Sequence, residues 1–338
     1  MPTQWFRLFI AFSGLLAWMP AATARAQADS EASPRWILPE VTAPGVQRGI
    51  FSSSAAQTNT SYYIYLPDAY KTDPLACFPV LYWLHGTGGG MRAVPILAEW
   101  FDAAIRRGDL PPMLVVFPNG LPQTMWCDSV NGKTPIETIL IRELIPHIDR
   151  TFRTITSRKG RIVEGFSMGG YGAARLGFKY PDLFGGVSLL GAGPLDLGFE
   201  GPRASANPEE REQILQNIFG GSLETFRTNS PWTLAKNAGL NSSPDLRIRQ
   251  VVGMRDGSLA GNRSFHDRLN TLNVPHDYIE LPDVSHQTMQ VLTGLGAENW
   301  EFYRSVFGET VPQSSTSPAK VRLLASGKPM SPDPEKKQ

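Results

Sequence analysis

Residues 161–178, RIVEGFSMGGYGAARLGF, change character halfway along. Residues 161–164 read as the end of a β-rich strand, while 171–178 have the Ala, Leu and aromatic content of a helix packed on a sheet. Between them Ser167 stands among Gly165, Gly169 and Gly170. Gly165-Phe166-Ser167-Met168-Gly169 is a complete nucleophile-elbow pattern, placed between a predicted strand and a predicted helix as that motif requires. Such a turn strains the serine backbone and exposes Oγ at the top of the sheet. Side chains two positions away on either side would collide with neighbouring elements, which calls for glycine there. The helix beyond directs its positive end and free N–H groups at the place where an oxyanion would develop.

Working outward, VQRGIFSSS (46–54) and NTSYYIYLP (59–67) predict an antiparallel hairpin. The apolar runs FPVLYWLHG (78–86) and PMLVVFPNG (112–120) read as strands buried on both faces. Between them VPILAEWFDAAIRRG has helical periodicity and stops at Gly108. Thr134-Pro135-Ile136-Glu137 has capping-box spacing for a helix to about Phe152, which Pro146 should kink. Later strands are expected at 186–190, 246–252 and 278–281, and helices at 263–272 and 298–307. Residues 191–244 read as polar and irregular, and as a candidate lid. Strands alternating with helices after a hairpin predict a mostly parallel sheet covered on both faces, in an α/β class.

The 338 residues carry 32 Lys and Arg against 31 Asp and Glu, a formal charge of +1. With no basic run in the folded part, nucleic acid is not an expected partner. The N-terminus has a basic Arg7, an apolar run over 8–18 and the Ala24-Arg25-Ala26 pattern of an export signal over 1–26. That run is about half of the ~20 residues a spanning helix needs, so stable membrane insertion is not expected and secretion or periplasmic export is. Residues 27–44 read as an extended lead-in and 310–338 as a disordered tail. Cys77 precedes one strand and Cys127 follows the far end of the next, so both are expected as free thiols.

An elbow serine needs a base and an acid. Of five histidines, only His286, in LPDVSHQ, follows the C-terminal end of a late strand, where the top-edge loops meet. In the order serine, acid, histidine, Asp256 in VVGMRDG takes the acid role, fixing the tautomer of His286, with Glu280 and Asp277 as competitors. LHGTGGG (84–90) supplies a glycine turn after an early strand, so the backbone N–H groups of Thr87 and Met168 are the expected oxyanion donors. No Lys follows in a phosphate-loop pattern, and no paired His or Cys stands at metal-ligand spacing, so neither cofactor nor metal is expected. Trp126, with Trp232 and Trp300, is a candidate for lining the substrate site.

With Ser167, Asp256, His286, LHGTGG, RELIPHID, FPNG and WCDS in place, residues 45–307 resemble the esterase D-like esterases, a branch of the α/β-hydrolases. That group includes feruloyl and acetylxylan esterases, S-formylglutathione hydrolases and mycolyltransferases. The resemblance implies an α/β-hydrolase domain over 45–309, Ser167 as nucleophile, Asp256 as acid, His286 as base, and Met168 and Thr87 as oxyanion donors. Thr87 departs from the aliphatic residue often found after His-Gly in the group. The implied activity is a secreted serine carboxylesterase acting on feruloyl or acetyl esters of plant polysaccharide or a similar ester. The alternatives are an acyltransferase acting on a sugar hydroxyl and a non-catalytic carbohydrate-binding module.

Overall fold

Interleaved exposed and half-buried positions in β1 (Val46–Ser53) and six consecutive buried residues at the end of β2 (Thr58–Tyr65) make the expected antiparallel hairpin, in register from Val46–Tyr65 to Ser53–Thr58. In the computed structural model, which describes residues 34–199, 208–241, 245–308 and 320–323, this hairpin edges a nine-stranded sheet. The expected export signal (1–26) lies outside the described residues, as do most of the lead-in and of the tail. The other strands are β3 (Val80–Leu84), β4 (Leu114–Pro118), β5 (Arg161–Phe166), β6 (Gly186–Leu190), β7 (Arg247–Gly253), β8 (Asp277–Leu281) and β9 (Lys320–Leu323). Their order is β1-β2-β4-β3-β5-β6-β7-β8-β9, and every pair beyond β2–β4 is parallel. This is the α/β-hydrolase fold.

The helices are α1 (Asp68–Thr72), α2 (Val94–Arg107), α3 (Ile136–Thr138), α4 (Ile145–Thr151), α5 (Met168–Lys179), α6 (Pro208–Phe219), α7 (Leu223–Asn229), α8 (Pro231–Asn241), α9 (Leu259–Thr271), α10 (Thr288–Leu295) and α11 (Ala297–Phe307). They cover both faces of the sheet. Alternation along β3 sends Val80, Tyr82 and Leu84 into one core with α5 and α9, and Leu81 and Trp83 into the other with α2 and α11. Each fully buried large side chain contributes about 1.5–3 kcal/mol. Helix α5 packs flush because its glycines leave no room for a side chain: a Cβ on Gly177 would lie 2.3 Å from Val187 Cγ2.

One charged residue sits inside the opening stretch. Glu164 is fully buried, paired with Arg249 of β7 at 2.6 Å and accepting the Tyr303 hydroxyl of α11 at 2.6 Å. Arg249 also donates to Ser188 and Asn299, so the pair is satisfied on every side that faces the core. It ties β5, β6, β7 and α11 together below the elbow. Removing one partner of such a pair typically costs about 3–5 kcal/mol, because the other charge stays buried.

Several expectations need correction. Residues 208–241 are three helices: Ile214, Ile218 and Phe219 of α6 and Phe226 of α7 are buried, an apolar stripe diluted by the acidic residues around it. Part of the expected disordered tail, residues 320–323, is strand β9, paired with β8. The capping box fails too. Glu137 turns inward to Arg175 and Lys179, and the Asp128 carboxylate caps the helix instead, accepting from Thr138 N at 2.9 Å and Thr138 Oγ1 at 2.6 Å. Pro146 cannot donate to the turn before it, and residues Ile139–Leu144 take the wider π-helical winding. Both cysteines are free, Cys77 exposed and Cys127 buried. Among the described residues, no helix is long and apolar enough to cross a membrane.

Candidate active site

Strand β5 ends at Phe166 and α5 begins at Met168, so Ser167 alone makes the turn, at φ 60° and ψ −120°. Its N–H donates to Leu190 O at 2.9 Å and its carbonyl accepts from Tyr171 N at 3.0 Å, pinning the strained residue from both sides. The flanking glycines are steric requirements. A Cβ on Gly165 would lie 2.4 Å from the Gly169 carbonyl carbon, and one on Gly169 would lie 1.9 Å from Leu84 O.

His286 sits in the loop between β8 and α10, its ring against Phe166 with centroids 4.6 Å apart. Asp256 sits between β7 and α9. Three loops from the C-terminal ends of β5, β7 and β8 therefore meet, and the structure joins all three expected residues. His286 Nε2 lies 2.9 Å from Ser167 Oγ, and His286 Nδ1 lies 2.6 Å from Asp256 Oδ2. Since a carboxylate only accepts, Nδ1 carries the proton and Nε2 is left to accept the serine hydroxyl.

Asp256 is held as the anion. Burial works against its charge, but hydrogen bonds from His286 and from Ser258 outweigh it and keep the carboxyl below the usual carboxylate range. Ser258 donates to Oδ1 twice, from N at 2.8 Å and Oγ at 2.9 Å. Behind it, Asn262 donates to Ser258 O and Ala192 O, and Gln250 donates to Asn262. Gly191 passes so close beneath that a Cβ would lie 3.1 Å from Asp256 Oδ2 and 3.0 Å from the Phe166 ring, at φ +49°. The competing acids are engaged elsewhere or remote: Glu280 holds Arg263 at 2.7 Å, and Asp277 is exposed at the start of β8. His147 bonds Tyr62, and His266 and His276 bond each other at 2.8 Å.

The serine opens on a cleft of about 380 Å³ whose wall includes His85, Gly86, Thr87, Phe166 and His286. Thr87 is exposed on that wall, and Met168 opens α5, where an N–H has no intrahelical acceptor. The turn after β3 is braced from below. His85 Nδ1–H donates to Gly86 O at 2.8 Å, its Nε2 accepts Gly120 N–H at 3.2 Å, and Gly88 N–H donates to Pro122 O at 2.9 Å. Burial pushes the His85 imidazole down to about 4, which keeps it neutral in these two opposed roles.

Trp126 does not line the cleft. It is fully buried beneath the turn, its Nε1–H donating to His85 O at 3.1 Å and its ring filling the space a side chain at Gly120 or Gly172 would need. Met125 and Trp126 both take φ 54°, which folds this loop inward. Trp232 packs on Phe265 and Trp300 on Trp100, also away from the cleft. Sequence reasoning missed the bracing roles of His85, Gly191, Ser258 and Asn262. The i, i+4 spacing of Ser258 and Asn262 at a helix start was the available clue. Among the described residues, no group of three or more His, Cys, Asp or Glu is placed to hold a metal ion.

A mostly parallel sheet with an elbow serine, a late histidine and an acid at its C-terminal edge defines the α/β-hydrolase class. Residues 53–312 match the family described as "Putative esterase", and the chain belongs to that family. It is 30% identical over 267 residues to Esterase MT1326 of Mycobacterium tuberculosis (strain CDC 1551 / Oshkosh), covering 69% of this chain and 54% of that protein. It is 31% identical over 156 residues to an endo-1,4-beta-xylanase/feruloyl esterase of Xylanibacter ruminicola, covering 44% and 22%. The chain thus spans about half the length of the first relative and less of the second. Among solved structures it is similar to a ferulic acid esterase, with TM-score 0.63, 20% identity and coverage of 78% and 98%. It is also similar to an S-formylglutathione hydrolase from Agrobacterium tumefaciens, with TM-score 0.61, 18% identity and coverage of 80% and 99%. At these identities the two structures carry the fold alone.

Proposed function

We propose that this protein is an exported serine carboxylesterase that hydrolyses feruloyl or acetyl esters of plant polysaccharide or a similar natural ester. The observation that carries the reading is the continuous chain Ser167 Oγ, His286, Asp256, with links of 2.9 and 2.6 Å, on a serine held at φ 60°. Family membership supports ester chemistry, the feruloyl esterase named among the relatives supports the acyl class, and the pattern over 1–26 supports export.

His286 Nε2 takes the Ser167 proton as Oγ attacks the ester carbonyl, and Asp256 stabilises the imidazolium that forms. The carbonyl oxygen, now negative, is received by the N–H groups of Met168 and Thr87, each such donor being worth roughly 10²–10³ in rate. Collapse expels the alcohol, which takes the proton from His286 and leaves an acyl group on Ser167. Water, deprotonated by His286, then attacks the acyl-enzyme and releases the acid. A transferase must instead hold a second hydroxyl at this step.

The test is product analysis with a feruloyl or acetyl sugar ester, with and without excess acceptor sugar. Free acid is expected to dominate in both. Predominant acylation of the added sugar would make the protein a transferase, and no turnover of any activated ester would remove the enzymatic reading.

A further inference from the structure

A second cavity, of about 460 Å³, lies on the far side of the glycine turn from Ser167, and nothing in the reaction above uses it. It shares Trp83, His85, Gly89 and Gly90 with the serine cleft, so the two are separated only by that turn. Tyr63, Trp83 and Phe117 back its wall, all three almost wholly buried. Its polar lining includes Arg35 and Arg92, and no carboxylate lines it.

Both arginines stand at defined places. Arg92 belongs to the short turn Met91–Ala93 that leads into α2. Arg35 lies on the chain before β1, where Asn119 Nδ2 donates to Arg35 O and Trp36 O at 3.0 Å each. Ser61 N–H adds a bond to Trp36 O at 3.0 Å, so the backbone beneath Arg35 is fastened to β2 and to the end of β4. Elsewhere on the surface Arg106, Arg255 and Arg263 pair with Asp102, Asp283 and Glu280. Among the described residues, neither Arg35 nor Arg92 makes such a pair, and His85 on the shared wall is neutral. The cavity wall therefore carries two arginines without a local carboxylate partner.

Resting on the esterase reading, we propose that this cavity is a specificity subsite for a carboxylate-bearing ring of the substrate, an acidic sugar attached to the acylated one. A volume of about 460 Å³, within the range of small-ligand pockets, leaves room for one sugar ring beside the arginines. The guanidinium groups match a carboxylate bidentately, which a neutral sugar cannot exploit. A neutral substrate leaves the cavity empty and reacts through the serine cleft alone. The preference for acid should weaken with salt, since both arginines are exposed.

The test compares acetylated xylo-oligosaccharides with and without one glucuronic acid side group, and p-nitrophenyl acetate, on the wild type and the Arg35→Gln/Arg92→Gln double variant. For the wild type, kcat/KM on the acidic oligosaccharide is expected to be about tenfold above that on the neutral one, expressed in KM, as two exposed charge contacts allow. In the double variant the two oligosaccharides become equal, while turnover of p-nitrophenyl acetate is unchanged. Equal values in the wild type, or a preference that survives the double substitution, overturns the subsite. A benzoate-bearing acetyl ester as a further arm separates sources of the carboxylate: a preference for it alone overturns the sugar assignment. Failure of the wild type on p-nitrophenyl acetate overturns the underlying esterase reading instead.

Discussion

Two glycine-rich turns stand side by side at the C-terminal ends of β3 and β5, and they use glycine for opposite reasons. In the elbow there is no space: a Cβ on Gly169 would lie 1.9 Å from Leu84 O, a backbone atom that cannot swing aside. At the tip of the turn after β3 there is ample space, with nothing within 4 Å of a Cβ on Gly88 or Gly89, but the backbone stands at φ +92° and +88°, and only beyond the tip, at Gly90, would a Cβ come within 2.4 Å of His85 Cβ. The elbow is fixed by packing, the tip of the other turn by conformation. The elbow is held by backbone bonds to its neighbours, whereas the β3 turn adds the side chains of His85 and Trp126 to its backbone bond from Gly88 N–H to Pro122 O. The difference places a packing constraint on the nucleophile and a conformational one on the tip of the wall between the two cavities.

The largest expected effect tests whether the chemistry resides with the elbow and its two partners. Asp256→Asn should keep the fold and lose about 10⁴ in kcat, by analogy with other triads. A loss below tenfold, measured on an activated ester, would move the acid elsewhere. Gly169→Ala comes next, with a cost on the order of 3 kcal/mol or more in urea unfolding, because backbone must shift to admit the methyl. A cost under 1 kcal/mol would contradict the steric reading of the elbow.

Acid should loosen the β3 turn and not the elbow, which has no titratable group of its own besides the triad. In the folded protein His85 is pushed down to about 4 by burial, from an ordinary value near 6.5. A depressed histidine contributes stability that is fully present above about pH 6.5 and is lost as pH falls toward 4, since the unfolded chain takes up the proton first. The loss at pH 5 amounts to about 2 kcal/mol for one such group. His276, also pushed down to about 4, and His147 and His266, pushed down by burial as well, add to the same slope, so His85→Gln should reduce the pH slope in thermal unfolding without removing it. An unchanged slope would show that His85 is not held neutral. The smallest effect belongs to Gly89→Ala, about 1–2 kcal/mol from the unfavourable φ, with a several-fold fall in kcat. A cost as large as that of Gly169→Ala would erase the contrast between the turns.

Much of this was legible in the sequence because it is local. The elbow glycines, the buried strands and the position of His286 after a late strand all lie within windows of about ten residues. Asp256 was legible through chain order and strand ends. What escaped depends on distance along the chain or on weak patterns. Asp128 caps a helix ten residues away, and no local pattern announces it. Trp126 reads as a site aromatic until the inward turn at Met125 shows that it carries the turn after β3. Helix α6 hides its three buried residues among Glu and Gln. Strand β9 is a four-residue run in a Ser-, Pro- and Lys-rich tail, and its pairing with β8 makes it a strand.

Everything proposed for this site depends on Ser167 being the nucleophile and His286 activating it. An activated p-nitrophenyl phosphonate ester tests it directly, since it phosphonylates such a serine and releases one nitrophenol for each active site. One equivalent released per chain is expected, with the adduct on the peptide carrying Ser167 and release lost in His286→Ala. Absence of any adduct, or an adduct on another serine, would contradict it.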